Sequence, residues 1–121
     1  MGNPFVHVEL MTTDRNKAKS FFGAMFDWQL EDMPMQGGET YTMIKVGDGT
    51  GGGIMKNPMP GGSSTWVPYV LVDSVVDATA KAKDLGAKVY RDVSEIPDMG
   101  SFSIIADPTG SILGLWQAKR K

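Results

Sequence analysis

Two side chains able to move a proton or hold a metal stand two residues apart near the start of the chain. His7 is the single histidine among 121 residues, and Glu9 follows it in the stretch FVHVELM. Alternate residues of an extended strand share a face, so His7, Glu9 and Met11 fall on one side and Val8 and Leu10 on the other. If the apolar pair packs beneath a helix, His7 and Glu9 face a cavity. They would then form an acid–base pair, with Glu9 raising the His7 pKa or His7 acting as base. The same residues would serve equally as a hydrogen-bonded polar patch or as the rim of a dimer interface, and the sequence leaves these readings open. Two adjacent ligands make a poor divalent-metal site without a third. The spacing of Glu31, Asp32 and Glu39 does not supply one. No cysteine is present, which excludes disulfides, thiol nucleophiles and thiolate metal sites.

A second set of candidates is apolar. Met11, Met43, Met55, Trp66, Phe102 and Trp116 offer flat rings and pliable thioethers, which suit a pocket for a planar or greasy molecule. They would equally fill the interior themselves or pack a homodimer interface. In SIIADPTGSILGLWQ (residues 103–117), Asp-Pro-Thr-Gly reads as a type I turn between two strands. Ile112, Gly114 and Trp116 share a face of the second strand. Glycine inside a strand packs nothing and often marks a close approach by a ligand or another chain. Gly114 is therefore a candidate ligand-contact position. The run GDGTGGG (47–53) looks like a phosphate cradle but lacks the Gly-Lys-Ser/Thr ending of a P-loop, and is read as a turn. The segment IPDMGS (96–101) is a candidate pocket edge.

These residues are carried by elements that occur twice. Residues 5–11 read as a strand, with Thr13 or Asp14 as cap for a helix over 16–26 whose stripe is Ala18, Phe21, Phe22, Met25 and Phe26. Strands follow near 29–33, 41–46 and 54–55. The order then repeats: a strand over 67–72, caps at Ser74 or Asp77, a helix with Ala78, Ala82 and Leu85 inward and Gly86 at its end, and strands from 88, over 102–106 and over 112–117. Asp14 and Asp73 are 59 residues apart, as are Phe26 and Leu85, while Gly53 and Gly114 are 61 apart. The expected fold is α+β, two paired βαβββ modules forming a cupped mixed β-sheet with outer helices. It is one domain, with module one at about 1–57, a connector at about 58–65 and module two at about 66–121.

The net charge is −2 and no basic stripe is present, so nucleic acid is not an expected partner. No apolar run nears the length of a membrane span, and the N-terminus lacks a signal-peptide layout. A cytoplasmic protein is expected, with a small molecule as partner and no membrane association.

The pattern HVELMTTDRNKAKSFFGAMFDW, then VDATAKAKDLGAKV, then DPTGSILGLWQ resembles the vicinal oxygen chelate superfamily. That group holds glyoxalase I, extradiol dioxygenases, fosfomycin-resistance enzymes and bleomycin-binding proteins. The likeness covers essentially the whole chain. It implies ligand positions at the start of the first strand and on the last strand of each half, falling here on His7, Gly53, Trp66 and Gly114. One of these four is able to bind metal, so the resemblance implies an emptied metal site, with room at Gly53 and Gly114 for a ligand or for the Trp66 ring. No cofactor is then expected. Any residual metal would use His7 and Glu9. The function expected is binding of a small apolar or aromatic molecule, as in the bleomycin-binding members. The alternatives are a lyase or isomerase using His7 and Glu9, and a divalent-metal-dependent lyase or dioxygenase. The resemblance also implies a homodimer.

Overall fold

A computed structural model describes residues 2–35, 38–57 and 61–119. Residues 58–60 of the expected connector (about 58–65) lie outside the described residues. The chain forms two compact units, residues 7–67, and residues 68–121 together with the segment up to Val6. The elements run β1 (Phe5–Thr12), α1 (Arg15–Met25), β2 (Gln29–Pro34), β3 (Thr40–Lys45), β4 (Gly52–Lys56), β5 (Thr65–Leu71), α2 (Val75–Asp84), β6 (Lys88–Ile96), β7 (Gly100–Ala106) and β8 (Ile112–Ala118). The α+β class and the repeated βαβββ order are those expected.

In the first module β1 lies parallel to β4, β4 antiparallel to β3, and β3 antiparallel to β2. Leu10, Ile44 and Ile54 point to one face and form a core with Ala18, Phe22, Trp28, Leu30 and Val46. Helix α1 starts where the Asp14 carboxylate accepts from the Lys17 N–H at 3.0 Å. A polar tie fixes it to the sheet: Asp32 accepts from the Thr42 hydroxyl at 2.7 Å and from Lys19 at 2.9 Å, and Arg15 donates to Thr42 at 3.0 Å. Ala18 and Phe22 carry the packing of α1. Phe21, Met25 and Phe26, expected on the inward stripe of α1, are exposed, as is Leu85, expected inward at the end of α2.

The second module repeats the ladder. Strand β5 is parallel to β8, which is antiparallel to β7, which is antiparallel to β6. Its helix-side core is Val75, Ile105 and Leu115, packed with Ala78, Ala82 and Leu113 among others. Ser74 caps α2 by accepting from the Asp77 N–H at 3.2 Å, and Gly86 follows the helix at φ +96°. The Asp107 turn forms as read, with the Gly110 N–H donating to the Asp107 carbonyl at 2.9 Å. Segment 96–101, read as a loop, is the end of one strand, a turn and the start of the next. Strand β6 runs on to Ile96 and β7 begins at Gly100, leaving a tight turn with Asp98 at φ +66°.

The Ser74 cap corrects the alignment of the halves. Asp14 corresponds to Ser74, 60 residues on, rather than to Asp73. Register agrees: Glu9 pairs with Gly53, and Tyr69 pairs with Gly114. The second-half counterpart of His7 is therefore Val67, not Trp66. A shift of one residue in a strand moves a side chain to the opposite face.

Candidate functional site

The strand pairings gather one polar cluster on the face of the first module's strands opposite α1. His7, Glu9 and Met11 of β1 share this face with Gly53 and Met55 of β4 and with Tyr41 and Met43 of β3, because Glu9 pairs with Gly53 and Gly53 with Met43. Gly53 has no side chain, and the Tyr41 ring lies in that space. A Cβ at Gly53 would overlap the Tyr41 hydroxyl and ring. So placed, the Tyr41 hydroxyl bonds to His7 Nε2 and to the Glu9 carboxylate. Tyr41 and Glu9 are buried, at 1% and 2% exposure, and His7 is half-buried.

Chemistry orders the protons. A carboxylate only accepts, so with Glu9 ionised the Tyr41 O–H donates to it. The Tyr41 oxygen then accepts from a neutral His7 carrying its proton on Nε2. Burial lowers the His7 pKa from 6.5 to about 4, holding the imidazole neutral near pH 7. Burial, the Glu9 charge and the hydrogen bond to Glu9 all push the Tyr41 pKa up, keeping the phenol protonated.

Sequence reading missed Tyr41. The available signal was its place twelve residues before a glycine on the paired strand, which acquires meaning only once register is known. Met43 is half-buried on the same face, whereas Met11 and Met55 are fully buried. Trp66 lies on the helix side, edge-on to Phe22 at 5.4 Å and to Trp28 at 6.5 Å, and does not occupy the space at either glycine.

In the second module Gly114, Trp116 and Phe102 share a face, since Phe102 pairs with Trp116. The Tyr69 ring fills the space a Gly114 side chain would take. Tyr69 meets Phe102 edge-on at 6.1 Å, and the Arg91 guanidinium stands 5.3 Å over the Phe102 ring.

The model of the Glyoxalase/Bleomycin resistance protein/Dioxygenase superfamily matches residues 5–115. The chain belongs to this superfamily. Curated relatives from Mycobacterium bovis and Mycobacterium tuberculosis, each named "Putative glyoxylase CFP32", are 37% identical over 119 residues. That match spans 93% of this chain and 45% of theirs, so the chain covers about half the length of those relatives. Methylmalonyl-CoA epimerase of M. tuberculosis superposes with a TM-score of 0.69 at 11% identity, over 96% of this chain and 88% of that one. The Streptomyces coelicolor epimerase in complex with 2-nitronate-propionyl-CoA gives 0.70 at 13% identity, over 96% and 97%. At these identities the likeness shows the fold alone. No helix among the described residues is long and apolar enough to cross a membrane.

The superfamily resemblance implies a divalent metal, and the residues present do not fit one. Among the described residues no three His, Cys, Asp or Glu side chains gather as a metal would need. Both last-strand positions are glycines covered by tyrosine rings. The oxygen nearest His7 and Glu9 is the Tyr41 hydroxyl, already engaged with both.

Two outcomes follow from this geometry. Gly53→Ala should cost about 2 kcal/mol through overpacking against Tyr41, and that cost should largely vanish when Tyr41 is alanine, as a double-mutant cycle in urea would show. His7 should also make stability pH-dependent. Its folded pKa lies below its unfolded value, so the unfolded chain binds the extra proton and stability falls as pH drops from 6.5 to about 4. The loss is on the order of 3 kcal/mol, and His7→Gln should remove that part of the acid dependence in melts between pH 4 and 7.

Proposed function

We infer that this superfamily member binds a small, partly apolar or aromatic molecule without the metal of its metal-dependent relatives. The observation that carries this reading is the tyrosine ring lying over each glycine where the resemblance puts a metal-bearing side chain. In the first module the replacement is a hydrogen-bonded set of His7, Tyr41 and Glu9 with Met43 and Met33 beside it. A fixed polar centre among thioethers suits a molecule with one polar group on an apolar body.

The proton-transfer reading, with His7 and Glu9 as acid and base, has less support. A general base works best with a pKa near the operating pH. The His7 imidazole, at about 4, is weak as a base, and the Tyr41 phenol, pushed up, is weak as an acid.

Titration of the protein with p-cresol, followed by melting temperature and by NMR of the His7 ring, tests the proposal. The expected result is a saturable rise in melting temperature, His7 shifts, about tenfold weaker binding in Tyr41→Phe, and p-cresol recovered unchanged by mass spectrometry. No saturable binding of p-cresol would overturn it, as would affinity untouched by Tyr41→Phe.

A further inference from the structure

The opposite face of the first module's strands carries a cavity that the His7 cluster does not use. Val8, Gly52 and Ile44 stand side by side across β1, β4 and β3, pointing toward α1. Gly52 adds no side chain to this row. The backbone enforces this, because a Cβ at Gly52 would overlap the Val8 carbonyl oxygen. No natural side chain other than glycine's hydrogen fits there without moving a strand.

The second module supplies the control. The counterparts of Ile44 and Gly52, each 61 residues on, are Ile105 and Leu113, which pair directly. Leu113 fills the equivalent place and packs on the Val75–Ile105–Leu115 core. In the first module no leucine does so, and α1 stops at Met25. The space remains as a cavity of about 290 Å³ lined by Val8, Trp28, Ile44, Val46, Trp66 and the backbone of 50–52. Trp28 and Trp66 stand nearly perpendicular, at 78°, as two walls of a corner. Trp66 is 39% exposed and Thr50 is exposed, so the cavity has a way in.

We propose that this cavity is a binding site for a flat, uncharged hydrocarbon-like molecule of about two fused rings. Size sets the upper end of the class. An apolar cavity of roughly 150 Å³ stays dry and accepts benzene, and this one is about twice as large. Lining sets the chemistry. Besides the Thr50 hydroxyl and backbone groups, the walls are aliphatic or indole, with no charged side chain to hold an ion or to compensate a buried polar group. Two perpendicular indoles offer one face for stacking and one for an edge contact with a ring seated between them. This cavity lies on the other face from the His7 cluster, and its ligand carries no polar group.

The test is titration with naphthalene, read by NMR of the three tryptophan indole N–H groups and of the Gly51 and Gly52 amides. Trp116, in the second module, is the internal reference. Expected are saturable shifts at Trp28, Trp66, Gly51 and Gly52, with Trp116 and His7 still. Filling the cavity by Val46→Trp should abolish the shifts, Trp66→Ala should weaken binding about tenfold, and Tyr41→Phe should leave it unchanged. Absence of shifts up to the solubility limit of naphthalene would overturn the proposal, as would shifts centred on His7 or Trp116. Naphthalene binding here would stand even if p-cresol fails at the His7 cluster, and the reverse also holds.

Discussion

The first module depends on two adjacent glycines in a strand that is paired on both sides. At Gly52 the backbone of β1 comes so close that no side chain fits, and a cavity lined by Val8 and Ile44 lies on the helix side. At Gly53, on the opposite face, the missing side chain makes room for the Tyr41 ring, and the ring brings its hydroxyl to His7 and Glu9. A buried carboxylate without partners would be costly to keep charged. Here a glycine allows the tyrosine that satisfies it. One dipeptide thus sets a polar cluster on one face and an apolar recess on the other.

The two modules show which features follow from the fold and which from the residues. Both have the same ladder, a capped helix and a glycine on the last strand with a tyrosine ring over it. The tyrosines come from different places: Tyr41 from β3 beside Gly53, and Tyr69 from β5, directly paired with Gly114. The counterpart of Tyr41 is Phe102, which has no hydroxyl, and the counterpart of Glu9 is Tyr69 itself. The ring over the glycine therefore recurs, while among the described residues the hydrogen-bonded acid and imidazole belong to the first module. The recess differs likewise, because Leu113 stands where the first module has Gly52.

Much of this was legible in the sequence. Helix caps, strand alternation and the Asp-Pro-Thr-Gly turn are local signals, and the repeat of elements follows from them. The face shared by His7, Glu9 and Met11 came from alternation alone. What failed was register. Matching Asp14 to Asp73 by residue type placed the counterpart of His7 on Trp66. The helix is capped by Ser74, and the one-residue difference turns the position to the other face, at Val67. Ser74 was among the expected caps, but the halves were aligned on their aspartates, and residue type alone does not fix register. Tyr41 was missed for a related reason: its role depends on lying diagonal to Gly53 across two strands. The exposure of Phe21 and Met25 also escaped the helical stripe, since the packed side of α1 is narrow and met by Ala18 and Phe22.

The central claim is that tyrosine rings have taken the space of the metal-bearing side chains. It is tested most directly by the metal content of untagged protein, by elemental mass spectrometry, before and after soaking in nickel, zinc, manganese and iron salts. The account predicts no stoichiometric metal under any of these conditions. About one ion per chain, lost in His7→Ala, would contradict it and would mean that Tyr41 yields its place to a metal held by His7 and Glu9.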